Sequence, residues 1–419
     1  MNASNVAPDS ELAFTLERYL THPETRQDPY PTYAELRARA PVYRSRTGLW
    51  LVTGYDAVIT LLRDPRLSRW QSARTEYQLR PTSDDELRRA IAAQTDSLIN
   101  LDEPGHTRIR RLVREVFLPA SIERLRGMIE ETARTLVARV ASRAEFDLLK
   151  EVAYPLPEII ICELLQVPHK DHALWSHWTE IITNINYAVG ESEEGRIAAI
   201  ERAFLEYYRY VKELVANRRA NMGNDLVSAL IRAGDTGDKL NEDELVGTIQ
   251  LLIGAGHETT ASFIANSTYC LLQDPTLYAT LRKQPDRIPK VLDEFLRMVG
   301  TAHTTNPRMA IEDIEIAGVT IRKGERLLLY VSAANRDPAM FDDPERLDID
   351  RPNMDRHVGF GAGAHFCLGR QLAQLEGGIM LREIVTGLPD LQLAEPVVWN
   401  SHVSTRSPQS LRVRRACRS

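Results

Sequence analysis

The chain has 419 residues, 43% hydrophobic and 26% charged, an ordinary globular composition with ample apolar material for a large core. A net charge of -6 and a pI near 6.0 give no basic footprint for nucleic acid. Four cysteines without a close pair (Cys162, Cys270, Cys367, Cys417) exclude a disulfide scaffold and short-spaced four-thiolate metal sites, and they fit a reducing cytosol.

The first twenty residues carry neither a long apolar stretch nor a basic n-region, so residues 1–27 are expected to be a lead-in without signal peptide or membrane anchor. Alternation in Val42–Arg44 and in 49–53 around Thr47-Gly48 predicts an early hairpin. Residues 107–118, 122–140, 195–219 and 242–273 place apolar side chains three and four apart and predict helices. The run from Asn241 to about Gln273 would span on the order of 45 Å. Its middle, LLIGAGHETTASF, is apolar on nearly all sides, which predicts a central buried helix. Residues 313–321 and 325–331 read as a second β region. With no repeat, low-complexity tract or linker, the expectation is one mainly α domain over 1–419 with a minor β region.

The sharpest motif is Phe360-Gly361-Ala362-Gly363-Ala364-His365-Phe366-Cys367-Leu368-Gly369, followed by the helical run RQLAQLEGGIMLREIV. Its glycines allow positive φ and close approach of backbone to a flat ligand. A cysteine just ahead of a helix meets free N–H groups and the positive end of the macrodipole, an environment expected to keep a thiolate without a neighbouring lysine. For an isolated cysteine, a buried structural role beside a turn would be the default.

The spacing of Phe360, Gly363, His365, Cys367 and Gly369 resembles the signature of the cytochrome P-450 superfamily, soluble bacterial class. The likeness runs from about residue 28 to the end of the helix after Cys367. It implies that fold, with haem b (iron protoporphyrin IX) between the long central helix and the cysteine-loop helix. It also makes Cys367 the iron ligand, with Phe360, Gly361 and Gly369 among the cofactor-binding residues. Glu294-Phe295-Leu296-Arg297 matches the family's Glu-x-x-Arg, both charges on one helix face, and Arg346 resembles the later arginine of that structural network.

Ala255-Gly256-His257-Glu258-Thr259-Thr260 matches the oxygen-activation segment: Ala255 and Gly256 would leave room over the iron, and Glu258 and Thr259 would deliver protons. The plainer role for Thr259 is a back-bond to its own helix. A zinc reading of His257-Glu258 fails because Ala261 stands where a second histidine is needed. His106, Arg110, Arg308 and His365 match ligands of the acidic haem propionates.

The polar stretch with His303, Thr304 and Thr305 should line the substrate pocket, helped by residues 402–407, 69–97 and 181–189. Its polarity points to a substrate with hydrogen-bonding groups, such as a secondary metabolite. The resemblance implies a monooxygenase that receives two electrons from a separate ferredoxin or flavodoxin with its reductase. Hydroxylation is the default outcome, with oxidative coupling or desaturation open. A peroxide-driven haem-thiolate enzyme and a non-enzymatic haem-thiolate sensor are the alternatives. A cytoplasmic monomer, with no nucleic acid and no membrane, is the simplest expectation.

Overall fold

The computed structural model describes residues 22–76, 82–114, 117–183, 193–223, 225–235 and 240–415. Two units emerge from it: one from 22–68, 293–366 and 397–409, the other from the described parts of 69–292, 367–396 and 410–415.

The larger unit is helical and is organised on Glu242–Gln273. Asn241 starts this long helix with a capping box: its side chain accepts from the Glu244 N–H (2.9 Å), and the Glu244 carboxylate accepts from the Asn241 N–H (2.9 Å). The helices Asp85–Thr95, Pro155–Leu165, Glu193–Ala220 and Arg370–Gly387 pack on it. Two glycines set how closely they approach. A Cβ on Gly247 would lie 2.1 Å from the Ala93 carbonyl oxygen, and one on Gly377 would lie 2.7 Å from the Phe263 ring. The core between these helices is aromatic and aliphatic, with Trp175, Trp178, Phe204, Tyr208, Ile249 and Ile253 buried together. Three strands, Glu145–Asp147, Arg412–Arg415 and Leu391–Leu393, form a small antiparallel sheet whose elements are too short to show periodicity.

The smaller unit holds a five-stranded sheet in the order Val42–Arg44, Trp50–Val52, Arg326–Leu329, Arg308–Ala310, Leu67–Ser68. The early hairpin forms as expected, with Gly48 at φ 83° in its turn. Residues 313–321 of the expected second β region form a hairpin, Ile314–Ile316 pairing with Val319–Ile321. The strand expected over 325–331 ends at Leu329, and Val331 begins a short helix. Thus the β content is small and the protein mainly α. Among the described residues no helix is long and apolar enough to cross a membrane.

Candidate functional site

In the larger unit, Cys367 stands three residues ahead of the Arg370–Gly387 helix, half-buried. The backbone N–H groups of Gly369 and Arg370 donate to its sulfur, and the Arg110 and Arg370 guanidiniums lie near enough to favour the anion. Burial is nevertheless the largest influence and holds the thiol above its ordinary range. The expectation that the helix start alone keeps a thiolate is therefore corrected: desolvation outweighs the donors until a cation shares the sulfur. Gly369 has a φ of -82° and donates its N–H to the sulfur.

The middle of the long helix behaves unlike the rest. Leu252, Ile253, His257 and residues 260–268 are buried, yet Ala255 and Thr259 are exposed, and Leu251, Gly254 and Glu258 are partly so. Positions 251, 254, 255, 258 and 259 share one helix face. The helix therefore turns a strip, small and polar from Gly254 onward, to the accessible side of an otherwise buried span. The Thr259 hydroxyl donates to the Ala255 carbonyl at 2.8 Å, the back-bond weighed above. That bond leaves the hydroxyl oxygen able to accept from the open side.

His106 and Arg110 lie one turn apart on the Gly105–Arg114 helix. His106 is buried, with Glu103 at 3.7 Å, and burial, then the neighbouring Arg110 charge, depress its basicity. Burial likewise lowers the affinity of the Arg110 guanidinium for its proton, against the pull of Cys367.

In the smaller unit, Phe360, Gly361 and His365 precede the cysteine. Phe360 packs 5.8 Å from the His357 ring, and His365 closes the short Gly363–His365 turn. Gly361 and Gly363 both have φ of 71°, and a Cβ on Gly363 would sit 2.8 Å from the Leu62 carbonyl oxygen. Arg308 is buried and donates to that same carbonyl and to Leu61.

The Glu294–Arg297 pair is completely buried, with Nε at 2.7 Å and Nη2 at 2.8 Å from the carboxylate. Here the sequence reading needs correction. The later arginine on Glu294 is Arg351, and the exposed Arg346 contributes its backbone carbonyl to both Arg297 and Arg351. Arg346 sits in a Pro-Glu-Arg match, whereas nothing local marks Arg351-Pro352. The asymmetric feature is the loop itself, folded back so that the Asp348 N–H also reaches Glu294.

His303 does not line open space. Its Nδ1 is 2.9 Å from the Tyr33 hydroxyl, its ring packs on Tyr30 and Tyr33, and it is 2% exposed. Thr304 is buried too, and Thr305 is half-buried with its hydroxyl on the Asn306 carbonyl. The reason is the C-terminal hairpin: the Ser404 carbonyl accepts from both the His303 and Thr304 N–H groups, turning these side chains into protein. Part of the expected pocket segments, 77–81 and 184–189, lies outside the described residues.

The donors and openings fit a haem held by a thiolate. Within the larger unit, Cys367 has two N–H groups behind its sulfur, and the long helix exposes Ala255 and Thr259 in the middle of its buried span.

Comparison with known proteins shows the family to which the chain belongs. The family model described as Cytochrome P450 matches residues 78–387. The polyketide biosynthesis cytochrome P450 PksS of Bacillus subtilis (strain 168) is 34% identical, the match covering 95% of this chain and 99% of that protein. The cytochrome P450 monooxygenase PikC of Streptomyces venezuelae is 36% identical over 92% of this chain and 91% of that one. Among solved structures, P450BioI in complex with a hexadec-9Z-enoic acid-ligated acyl carrier protein superposes with a TM-score of 0.83 at 32% identity, covering 93% of this chain and 99% of that one.

Proposed function

Because this chain belongs to the cytochrome P450 family, we propose that it is a haem-thiolate monooxygenase of a small secondary metabolite, with Cys367 as the iron ligand. The observation that carries the site is the pairing of a sulfur braced by the Gly369 and Arg370 N–H groups with a half-exposed residue surface, ahead of a helix packed on the long helix.

When bound, haem b supplies iron that activates dioxygen with two electrons, and thiolate ligation favours O–O cleavage. Everything else falls to the chain. With the iron bound, the Gly369 and Arg370 N–H groups and the Arg110 charge would brace the negative sulfur against the burial that otherwise favours the thiol. Arg110, Arg308 and His365, with His106 in support, would hold the propionates, and Phe360 and Gly361 would border the macrocycle. Ala255 keeps the strip clear by its size, the Thr259 hydroxyl holds a proton donor on the open face, and Glu258 relays protons from solvent.

The electrons come from a ferredoxin or flavodoxin with its reductase, and hydroxylation is the default outcome. The names of the relatives, two of them from polyketide pathways or monooxygenases and one structure with an acyl carrier protein, support a natural-product or carrier-bound substrate. The absence of a basic surplus supports a protein that does not bind nucleic acid, and we place it in the cytoplasm as a monomer. The pairing of a half-buried Glu258 with an exposed Thr259 favours the oxygen-dependent reaction over a peroxide-driven one, which has no use for a proton relay.

The decisive experiment is the difference spectrum of dithionite-reduced protein with and without carbon monoxide. A strongly red-shifted Soret band that disappears in Cys367→Ala is expected. A histidine-type band in the parent protein would overturn the ligand assignment.

A further inference from the structure

His257 interrupts the strip without belonging to it. It follows Ala255 by two residues, about 200° around the helix, so its side chain projects from the back of the helix that Ala255 and Thr259 open in front. There the imidazole is 3% exposed and is gripped by two rings from two other helices. Trp175, on the His172–Thr183 helix, meets it edge-on at 5.5 Å and 87°. Tyr154, at the N-cap of the Pro155–Leu165 helix, meets it at 5.1 Å and 54°.

The same two helices touch the long helix at the neighbouring glycines. A Cβ on Gly254 would be 3.0 Å from the Thr179 methyl, and one on Gly256 would be 3.2 Å from the Ile161 methyl. Thr179 is itself tied to the Trp175 carbonyl by its hydroxyl (2.8 Å), so the contacts at Gly254 and His257 come from consecutive turns of one helix. Both glycine contacts are close and apolar and could slide. The aromatic one has a preferred geometry that resists rotation.

We infer that His257 is a positioning residue: keyed between Trp175 and Tyr154, it fixes the rotation of the long helix, and thereby the direction in which Ala255 and Thr259 face the open strip. This rests on the monooxygenase reading, in which that strip lies over the iron. A turn of the helix by a few tens of degrees would carry the Thr259 hydroxyl off the open face while leaving the helix intact. His257 acts through Thr259 and touches no reacting atom.

The test is the carbon–oxygen stretching band of the ferrous carbon monoxide complex, which responds to the polar groups over the iron. Thr259→Ala sets the size of the change caused by losing the hydroxyl. His257→Ala is expected to shift or split the band by a comparable amount, and His257→Phe, which restores a ring between Trp175 and Tyr154, to return it towards the parent position. Trp175→Leu removes the other half of the key and gives the same shift, which covers the case in which His257→Ala does not fold. A parent-like single band in folded His257→Ala or Trp175→Leu, with only a lower melting temperature, would reduce His257 to packing. The Soret position of the same samples reports separately on Cys367, so a wrong ligand assignment and a wrong positioning role give different results.

Discussion

The Arg351 guanidinium lies with its Nε 3.1 Å and 3.2 Å from the two carboxylate oxygens of Glu294, so one buried acid serves two buried arginines. The surplus positive charge is absorbed by backbone. Arg297 donates to the carbonyls of Asn335, Pro344 and Arg346, and Arg351 to those of Asp342, Asp343 and Arg346. The knot therefore fixes the loop 342–351 through its carbonyls, with Arg351 as the side chain of the loop that takes part.

Removing one member of a buried ion network strands the others. Arg351→Ala should cost about 3–5 kcal/mol of stability, close to the effect of removing Arg297. Arg346→Ala, which keeps the carbonyl and loses an exposed side chain, should stay within about 0.5 kcal/mol. Urea unfolding of the two variants measures the difference, and equal losses would reinstate Arg346 as the partner.

Glu376 is buried on the cysteine helix beside Leu372, Ile379 and Met380, and burial holds its carboxyl well above the ordinary value of 4.5. The native acid thus keeps its proton where the unfolded one loses it. Raising the pH above about 4.5 therefore favours the unfolded chain, and each tenfold increase in native proton affinity costs about 1.4 kcal/mol. Glu376→Gln should match the parent in stability below pH 4.5 and exceed it at pH 7. Chemical denaturation at the two pH values checks this, and a variant that is destabilised at pH 7 would mean that the acid has a partner worth more than its burial.

Much of this was legible in the sequence because it is local. The long helix, the early hairpin and the cysteine loop each follow from period, turn residues and spacing within a few dozen positions. What was missed depends on chain returning from far away. Arg351 meets Glu294 across 57 positions, and nothing between Pro344 and Pro352 advertises which arginine the loop turns inward. His303 looked like a pocket residue because its neighbours are polar. Its burial is decided by Tyr33, 270 positions earlier, and by Ser404, a hundred later. The thiol of Cys367 was misjudged for a different reason: sequence reveals the helix start that favours an anion and is silent on the desolvation that opposes it.

His303 also predicts an acid limb. Burial, then the Arg406 and Arg336 charges, hold its basicity well below the ordinary 6.5. The native ring stays neutral while the unfolded ring takes up a proton, so the stabilising contribution is complete above about pH 6.5 and is lost as the pH falls below it. His303→Asn, which keeps a polar atom for Tyr33, should be less stable than the parent at pH 8 and should lose less on going to pH 5. A variant with the parent's full loss over that interval would assign the acid limb to other groups.

Gly361 and Gly363 share a φ of 71° and differ in what surrounds them. The nearest atom to a Cβ on Gly361 is 3.8 Å away, so Gly361→Ala should cost about 1–3 kcal/mol from backbone strain alone. A Cβ on Gly363 would also press on the Leu62 carbonyl oxygen and the Arg63 Cα, both backbone atoms that cannot rotate aside. Gly363→Ala should be the more damaging in thermal unfolding and should lower haem content after purification. Equal melting temperatures would show that the loop yields at Gly363.

Thr259 carries the argument between the oxygen-dependent and peroxide-driven readings. Its hydroxyl is bonded back to Ala255 yet sits on the exposed face of the helix, so it can serve as a structural brace, a proton donor, or both. Thr259→Ser keeps the hydroxyl and Thr259→Val keeps the shape. A bond that only braces the helix should tolerate valine nearly as well as serine, because a Thr or Ser back-bond in mid-helix adds little. A proton donor should tolerate serine alone, with coupled turnover through the ferredoxin system falling about 10²-fold or more in the valine variant and the electrons leaving as hydrogen peroxide. Peroxide yield per reduced nicotinamide, measured for the three proteins, separates the cases. Unchanged coupling in Thr259→Val would remove the relay and turn attention to reactions that begin from peroxide.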